Sequence, residues 1–291
     1  MSWRLEINHV TRYDYDRPVV ASYNEARVTP LTTPTQMVID ARVAVRPPAE
    51  VFAYWDYWGT LVHAFDVHDP HRSLTVTAKA LVDTGVNEAV GLPRQPGLAG
   101  TANEATWAEL ESPAIEDLYY EFLAPSRYIA PSELGKVAAE LSRGCATPAE
   151  AVPAVVDWAH GQLEYGPGST HVHTSAVEAW RAGRGVCQDF THLSLAVLRA
   201  MRIPARYVSG YFYPKAAGEP GLKVLGESHA WVEAWTGAWS SYDPTNRVPV
   251  GERHVVVARG RDYADVSPLR GIYSGPPGSS TDVTVELTRR K

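Results

Sequence analysis

Three residues far apart in this chain have the types that acyl-transfer chemistry needs: Cys187, His229 and Asp243. A thiol becomes an effective nucleophile when a base takes its proton and a third group orients that base. Cys187 stands in "GRGVCQDFTHL", behind Gly183 and Gly185, which let the chain turn sharply and approach other backbone closely. After it, Phe190, Leu193, Val197 and Met201 recur at helical spacing. Cys187 heads that stripe and so belongs at a helix N-terminus. Unpaired N–H groups and aligned dipoles there favour a thiolate and can hold an oxyanion. A cysteine on its own is more often a small buried apolar residue, so the case depends on its partners.

His229 lies in "GESHAWVEAW", a strand pattern with His229, Trp231, Glu233 and Trp235 on one face and Ala230, Val232 and Ala234 on the other. Asp243 stands before Pro244 in "SSYDP", at the end of the next strand. Either residue alone has an ordinary structural use, the aspartate as a turn former before proline. Between them "WTGAW" carries a hairpin signal. Two antiparallel strands joined there would present His and Asp side by side against the helix terminus.

The elements that must position these residues follow from hydrophobic periodicity. Trp3, Leu5 and Ile7 share one parity, as do Met37, Ile39, Ala41, Val43 and Val45, and Leu74, Val76, Ala78, Ala80 and Val82. Period-two patterning marks half-buried strands, so residues 1–85 read as a β-sandwich-like domain. Residues 86–103, rich in Gly, Pro and small polar residues, read as a linker. From residue 104 to 291 helices come first and strands after, ending in a β tail with "HVVVA" and "TDVTVEL". That order is α+β. Ser132 and Gly144 should bound one helix and Thr147 should cap the next, which Pro153 could delay or kink; Gly183 should stop a third.

Four separated segments, "GRGVCQDFTHL", "RIPARYVSGY", "SHAWVEAW" and "YDPTN", together resemble the bacterial transglutaminase-like superfamily of papain-type fold. The likeness continues into "HVVVARGRDYADVSPLRG". "WRLEINHVTRYDYDRPV" resembles the β-rich N-terminal domain that accompanies such proteins. The resemblance implies an α+β core with a helix-borne cysteine packed on an antiparallel sheet, and it assigns nucleophile, base and orienting carboxylate to Cys187, His229 and Asp243. Relatives of this kind are often encoded beside ATP-grasp-type ligases, which implies a peptide or amide-conjugate substrate and a functional link to such ligases. Calcium dependence and protein cross-linking are not implied, because the extra domains of the large animal enzymes are missing.

Other residues have more open readings. Gln188 could reach the oxyanion region or face solvent, and Asp189 is best read as a helix cap. Tyr165, in "LEYGPGST", resembles an aromatic placed upstream of the cysteine helix in the family, as a second oxyanion donor or an ordinary core residue. Trp231 could wall the groove or fill the core. Glu227 and Glu233 could draw in an amine or be surface charges, and Cys145 is a bystander. His171 and His173 in "THVHTS" are too few for a zinc site, so neither metal nor cofactor is expected.

The chain as a whole is consistent with an enzyme. Of 291 residues, 45% are apolar and 21% charged, enough for a sizeable core. A formal net charge of -6 argues against nucleic acid as a partner. Two cysteines cannot build a disulfide framework. "MSWRLEINHV" lacks a signal-peptide pattern and no apolar run approaches the roughly 18 residues of a membrane span, so a cytoplasmic location away from membranes is expected. The leading function is hydrolysis of a peptide, amide or isopeptide bond through a thioester. Transamidation is the alternative with the same chemistry, and a non-catalytic peptide-binding module is the alternative of another class. Oligomeric state is not legible.

Overall fold

The computed structural model describes residues 2–85, 104–215, 219–226, 228–276 and 278–291. The expected linker at 86–103 therefore lies outside the described residues. The N-terminal part supplies β1 (Trp3–Val19), β2 (Ala21–Ala26), β3 (Gln36–Arg46), β4 (Val51–Trp55), β5 (Leu61–Val67) and β6 (His71–Thr84). Helices α1 (Trp107–Leu110), α2 (Pro113–Leu118), α3 (Tyr120–Leu123), α4 (Gly135–Ser142) and α5 (Pro148–Gln162) follow. Two-residue strands β7 (Glu164–Tyr165) and β8 (Arg184–Gly185) flank α6 (Ala176–Ala182) and lead into α7 (Cys187–Ala200). The rest is β9 (Ala205–Phe212), β10 (Lys223–Gly226), β11 (Ser228–Trp235), β12 (Trp239–Tyr242), β13 (His254–Gly260), α8 (Tyr263–Val266), β14 (Leu269–Ser274) and β15 (Ser279–Arg289).

An antiparallel sheet in the order β12-β11-β9-β13 forms the floor under α7. Sheets β10-β15-β1-β6-β3 and β14-β2-β5-β4 share a second core built from Tyr15, Val19, Phe65, Val67, Leu74 and Val76. The C-terminal strands thus hydrogen-bond into the N-terminal sheets: β15 pairs with β1 from Leu5↔Arg289 to Tyr15↔Ser279, and β14 pairs with β2. Period-two patterning reports which face of a strand is buried and is silent about which strand lies beside it. Trp3, Leu5, Ile7 and Val82 join the larger core that also holds Phe190, Leu193 and Val232, so the two parts share one interior.

The structure refines several local expectations. A bulge between Val38 and Asp40 reverses the parity of β3, leaving Met37 and Ile39 exposed while Val45 is buried. Pro131 opens a 3₁₀ turn over Pro131–Leu134, so Ser132 lies inside that turn and Leu134 precedes α4. Thr147 accepts from the Glu150 N–H as expected, and α5 continues through Pro153. Gly183, at φ 66°, ends α6 in the left-handed conformation that glycine tolerates. The apolar stripe of α7 describes only part of its environment. Every residue from Gln188 to Arg199 is buried, because α4, α5 and α6 cover the sides that the sheet leaves open. Among the described residues no helix is long and apolar enough to cross a membrane.

Candidate active site

The start of α7 is built by close backbone contact. Tyr165 and Gly185 pair in parallel across β7 and β8, which sets Tyr165 beside the helix entrance. A Cβ on Gly185 would lie 2.6 Å from the Asp189 Cβ, so only glycine fits. Asp189 is buried and its carboxylate accepts from the Val186 N–H at 2.8 Å and the Thr170 hydroxyl at 2.6 Å. Burial raises the Asp189 carboxyl above the usual range, and these hydrogen bonds offset the effect only in part. Asp189 is therefore a cap, as its position in the first turn suggests. The first N–H groups of the helix, on Cys187 and Gln188, have no intrahelical acceptor.

Cys187 is half-buried, its thiol donating to the Ser228 carbonyl oxygen at 3.9 Å, and it lies beside His229, whose imidazole it helps to raise. His229 Nε2 lies 2.8 Å from Asp243 Oδ2, which leaves Nδ1 for the thiol. The hairpin pairs Val232 with Tyr242, so Asp243 falls past the end of β12 and reaches back diagonally to His229. A turn at Pro244 locks the carboxylate: Oδ1 accepts from the N–H groups of Thr245 and Asn246, both at 3.0 Å. Oδ2 also meets Asn246 Nδ2 at 2.9 Å and His254 Nε2 at 3.2 Å.

Burial alone would raise the Asp243 carboxyl, but hydrogen bonds from His229, His254 and Asn246 hold it well below the carboxylate range. Burial likewise works against a charged His229. Hydrogen bonds and charge from Asp243 and Cys187 prevail and raise the imidazole to about 10. The site thus favours an imidazolium beside the Asp243 carboxylate. Asn246 and His254 were not singled out from sequence. Asn246 could have been found as the end of an Asx-type turn in "DPTN", whereas His254 looks like an ordinary strand start in "HVVVA".

The remaining candidates separate clearly. Tyr165, 46% exposed, lines one cavity of about 520 Å³ with Cys187, Phe212, Leu225, His229 and Asn246. Gln188 is buried and its amide donates to the Val172 carbonyl at 3.4 Å. Trp231 is fully buried behind the site, edge-on to His254 at 5.3 Å. Glu233 is buried in ion pairs with Arg206 at 2.6 Å and Arg259 at 2.9 Å. Glu227 lies outside the described residues. Cys145 donates to the Leu141 carbonyl at 3.4 Å, and His171 and His173 are exposed around a turn. His229, Asp243 and His254 offer ligand atoms within 4.8 Å of one another. Both rings lie within hydrogen-bond distance of the same carboxylate oxygen, at 2.8 Å and 3.2 Å.

A thiol at a buried helix N-terminus, set over an antiparallel sheet and followed by a His–Asp pair, defines a protein class rather than a reaction. Residues 5–83 match the bacterial transglutaminase-like N-terminal region, and residues 135–244 match the transglutaminase-like superfamily. The chain belongs to the transglutaminase-like superfamily. It is 45% identical over 288 residues to an uncharacterized protein of Mycobacterium leprae, covering 99% of each chain. A candidate cysteine protease of known structure from Cytophaga hutchinsonii is similar over 100% of this chain and 92% of its own, at 26% identity and a TM-score of 0.79. A protein-glutamine gamma-glutamyltransferase of Pseudomonas aeruginosa is 36% identical over 104 residues, 32% of this chain and 15% of that one.

Proposed function

We propose that the chain is a cysteine-dependent acyl-transfer enzyme that hydrolyses a peptide, amide or isopeptide bond. The observation carrying this reading is Cys187 beside His229, itself hydrogen-bonded to Asp243 at 2.8 Å, with thiol and imidazole both lining the 520 Å³ cavity. The Cys187 sulfur attacks the carbonyl carbon, forming a C–S bond and an oxyanion held by the N–H groups at the start of α7. Collapse breaks the C–N bond as His229 gives its proton to the departing amine. His229 then takes a proton from water, whose oxygen attacks the thioester; the acid leaves and the thiol is restored. Asp243 keeps the ring oriented and supports its positive charge. A binding module would gain nothing from a buried imidazolium–carboxylate pair, which costs desolvation.

Hydrolysis is favoured over transamidation because no carboxylate among the described residues lines the cavity, and the ion-paired Glu233 is unavailable to attract an amine. Water at about 55 M then outcompetes any unoriented nucleophile. The test is a screen of peptide, amide and isopeptide substrates, with products weighed by mass spectrometry in the presence of millimolar primary amine. Free acid is the expected product. Predominantly amine-conjugated product would make the enzyme a transamidase, in keeping with the named activity of the Pseudomonas relative. No turnover of any amide would remove the hydrolase reading.

A further inference from the structure

We propose that His254 is a positioning residue of this site: a neutral imidazole that donates through Nε2 and fixes the Asp243 oxygen to which His229 is hydrogen-bonded. The inference rests on the reading of Cys187 and His229 as nucleophile and base. The tautomer follows from the partners. The Gly251 N–H donates to His254 Nδ1 at 3.3 Å, so that nitrogen presents a lone pair and the proton sits on Nε2, 3.2 Å from Asp243 Oδ2. The His254 side chain is 1% exposed, and its burial lowers the imidazole below its ordinary value. It therefore stays uncharged where His229 is charged.

Neutrality matters because both rings share one oxygen. A cationic His254 would divide the carboxylate's charge with His229 and weaken the imidazolium. A neutral N–H donor restrains the oxygen without that competition. The restraint also comes from an independent direction. The turn after β12 holds Oδ1, whereas His254 belongs to β13, at the opposite edge of the sheet. Phe212 packs against both rings, at 5.2 Å from His229 and 4.7 Å from His254, and Trp231 stands edge-on to His254. His254 does not line the cavity of Cys187, so it acts through Asp243. The ionisable groups bearing on the pair are Cys187 and Asp243 for His229, and Asp243, His229 and Arg253 for His254.

Long-range ¹⁵N–¹H spectra of the full chain labelled in histidine test this directly. His254 should give the neutral Nε2–H pattern from about pH 6 to about pH 9, with both nitrogens of His229 protonated. Two variants separate positioning from packing. His254→Phe fills the space without a donor, and His254→Gln keeps one. In His254→Phe, alkylation of Cys187 by iodoacetamide should fall about tenfold or more, the scale of one lost buried hydrogen bond, and His229 should titrate at lower pH. His254→Gln should recover most of both. An Nδ1–H or charged His254, an unchanged His229 titration in folded His254→Phe, or equal losses in both variants would overturn the proposal. The spectra report the His254 tautomer even if Cys187 is no more reactive than Cys145, an outcome that would instead remove the proposed nucleophile.

Discussion

Asp243 receives donors from a turn, an amide and two imidazoles, and at the residue scale it decides how basic His229 becomes. Replacing Asp243 by Asn should cut turnover on the order of 10²- to 10⁴-fold, since a neutral amide neither selects the tautomer nor supports the imidazolium. A folded variant with near-wild-type turnover would leave Asp243 as a turn residue only. The raised His229 also couples stability to pH. Its folded-state value of about 10 lies above an unfolded value near 6.5, so its contribution is complete below about 6.5 and is lost as pH rises through about 10. Urea midpoints should therefore fall between neutral pH and about pH 10, with a flatter fall in His229→Ala. Equal slopes in the two proteins would contradict the shift.

Two glycines carry the geometry at the scale of elements. Gly210 lies opposite His229 in the β9–β11 register, and a Cβ there would sit 2.0 Å from the Val255 carbonyl oxygen and 2.7 Å from the Trp231 ring. Gly210→Ala should destabilise the fold by about 1–3 kcal/mol or more, because backbone cannot yield as a flexible side chain can. An unchanged thermal midpoint would mean that β13 moves freely. Gly185→Ala should act more locally, pushing Asp189 off the Val186 N–H and loosening the helix start; slower Cys187 alkylation in a folded protein is the expected result. Much at this scale was legible in sequence. Thr147 capped α5 and Gly183 stopped α6, and the period-two pattern of β1 and β6 matched their buried faces. The β3 bulge and the complete burial of α7 were not legible, since both arise from neighbours that a single-segment pattern does not report.

For the whole molecule, the C-terminal strand matters more than its position suggests. β15 stands between β10 and β1, and β10 contributes Leu225 and Gly226 to the cavity of Cys187. Removing residues 279–291 should expose an edge of β1, free β10 and abolish cooperative unfolding, as followed by circular dichroism. A truncated chain that still melts cooperatively with a reactive Cys187 would show that β10 is held by other contacts. The family and the Cys–His–Asp order could be read because local segments carry them. The pairing of β14 and β15 with N-terminal strands, and the place of His254 beside Asp243, depend on contacts between distant parts of the chain.

Competitive alkylation of the two thiols decides whether Cys187 is an activated nucleophile. Brief iodoacetamide treatment near neutral pH, followed by peptide mass spectrometry, measures the rates at Cys187 and Cys145 in the wild type and in His229→Ala. Cys187 should react faster by about tenfold or more and lose most of that advantage without His229, because only Cys187 combines a helix N-terminus with an imidazole partner. Equal rates at the two thiols, or a Cys187 rate indifferent to His229, would contradict the activated nucleophile on which the account depends.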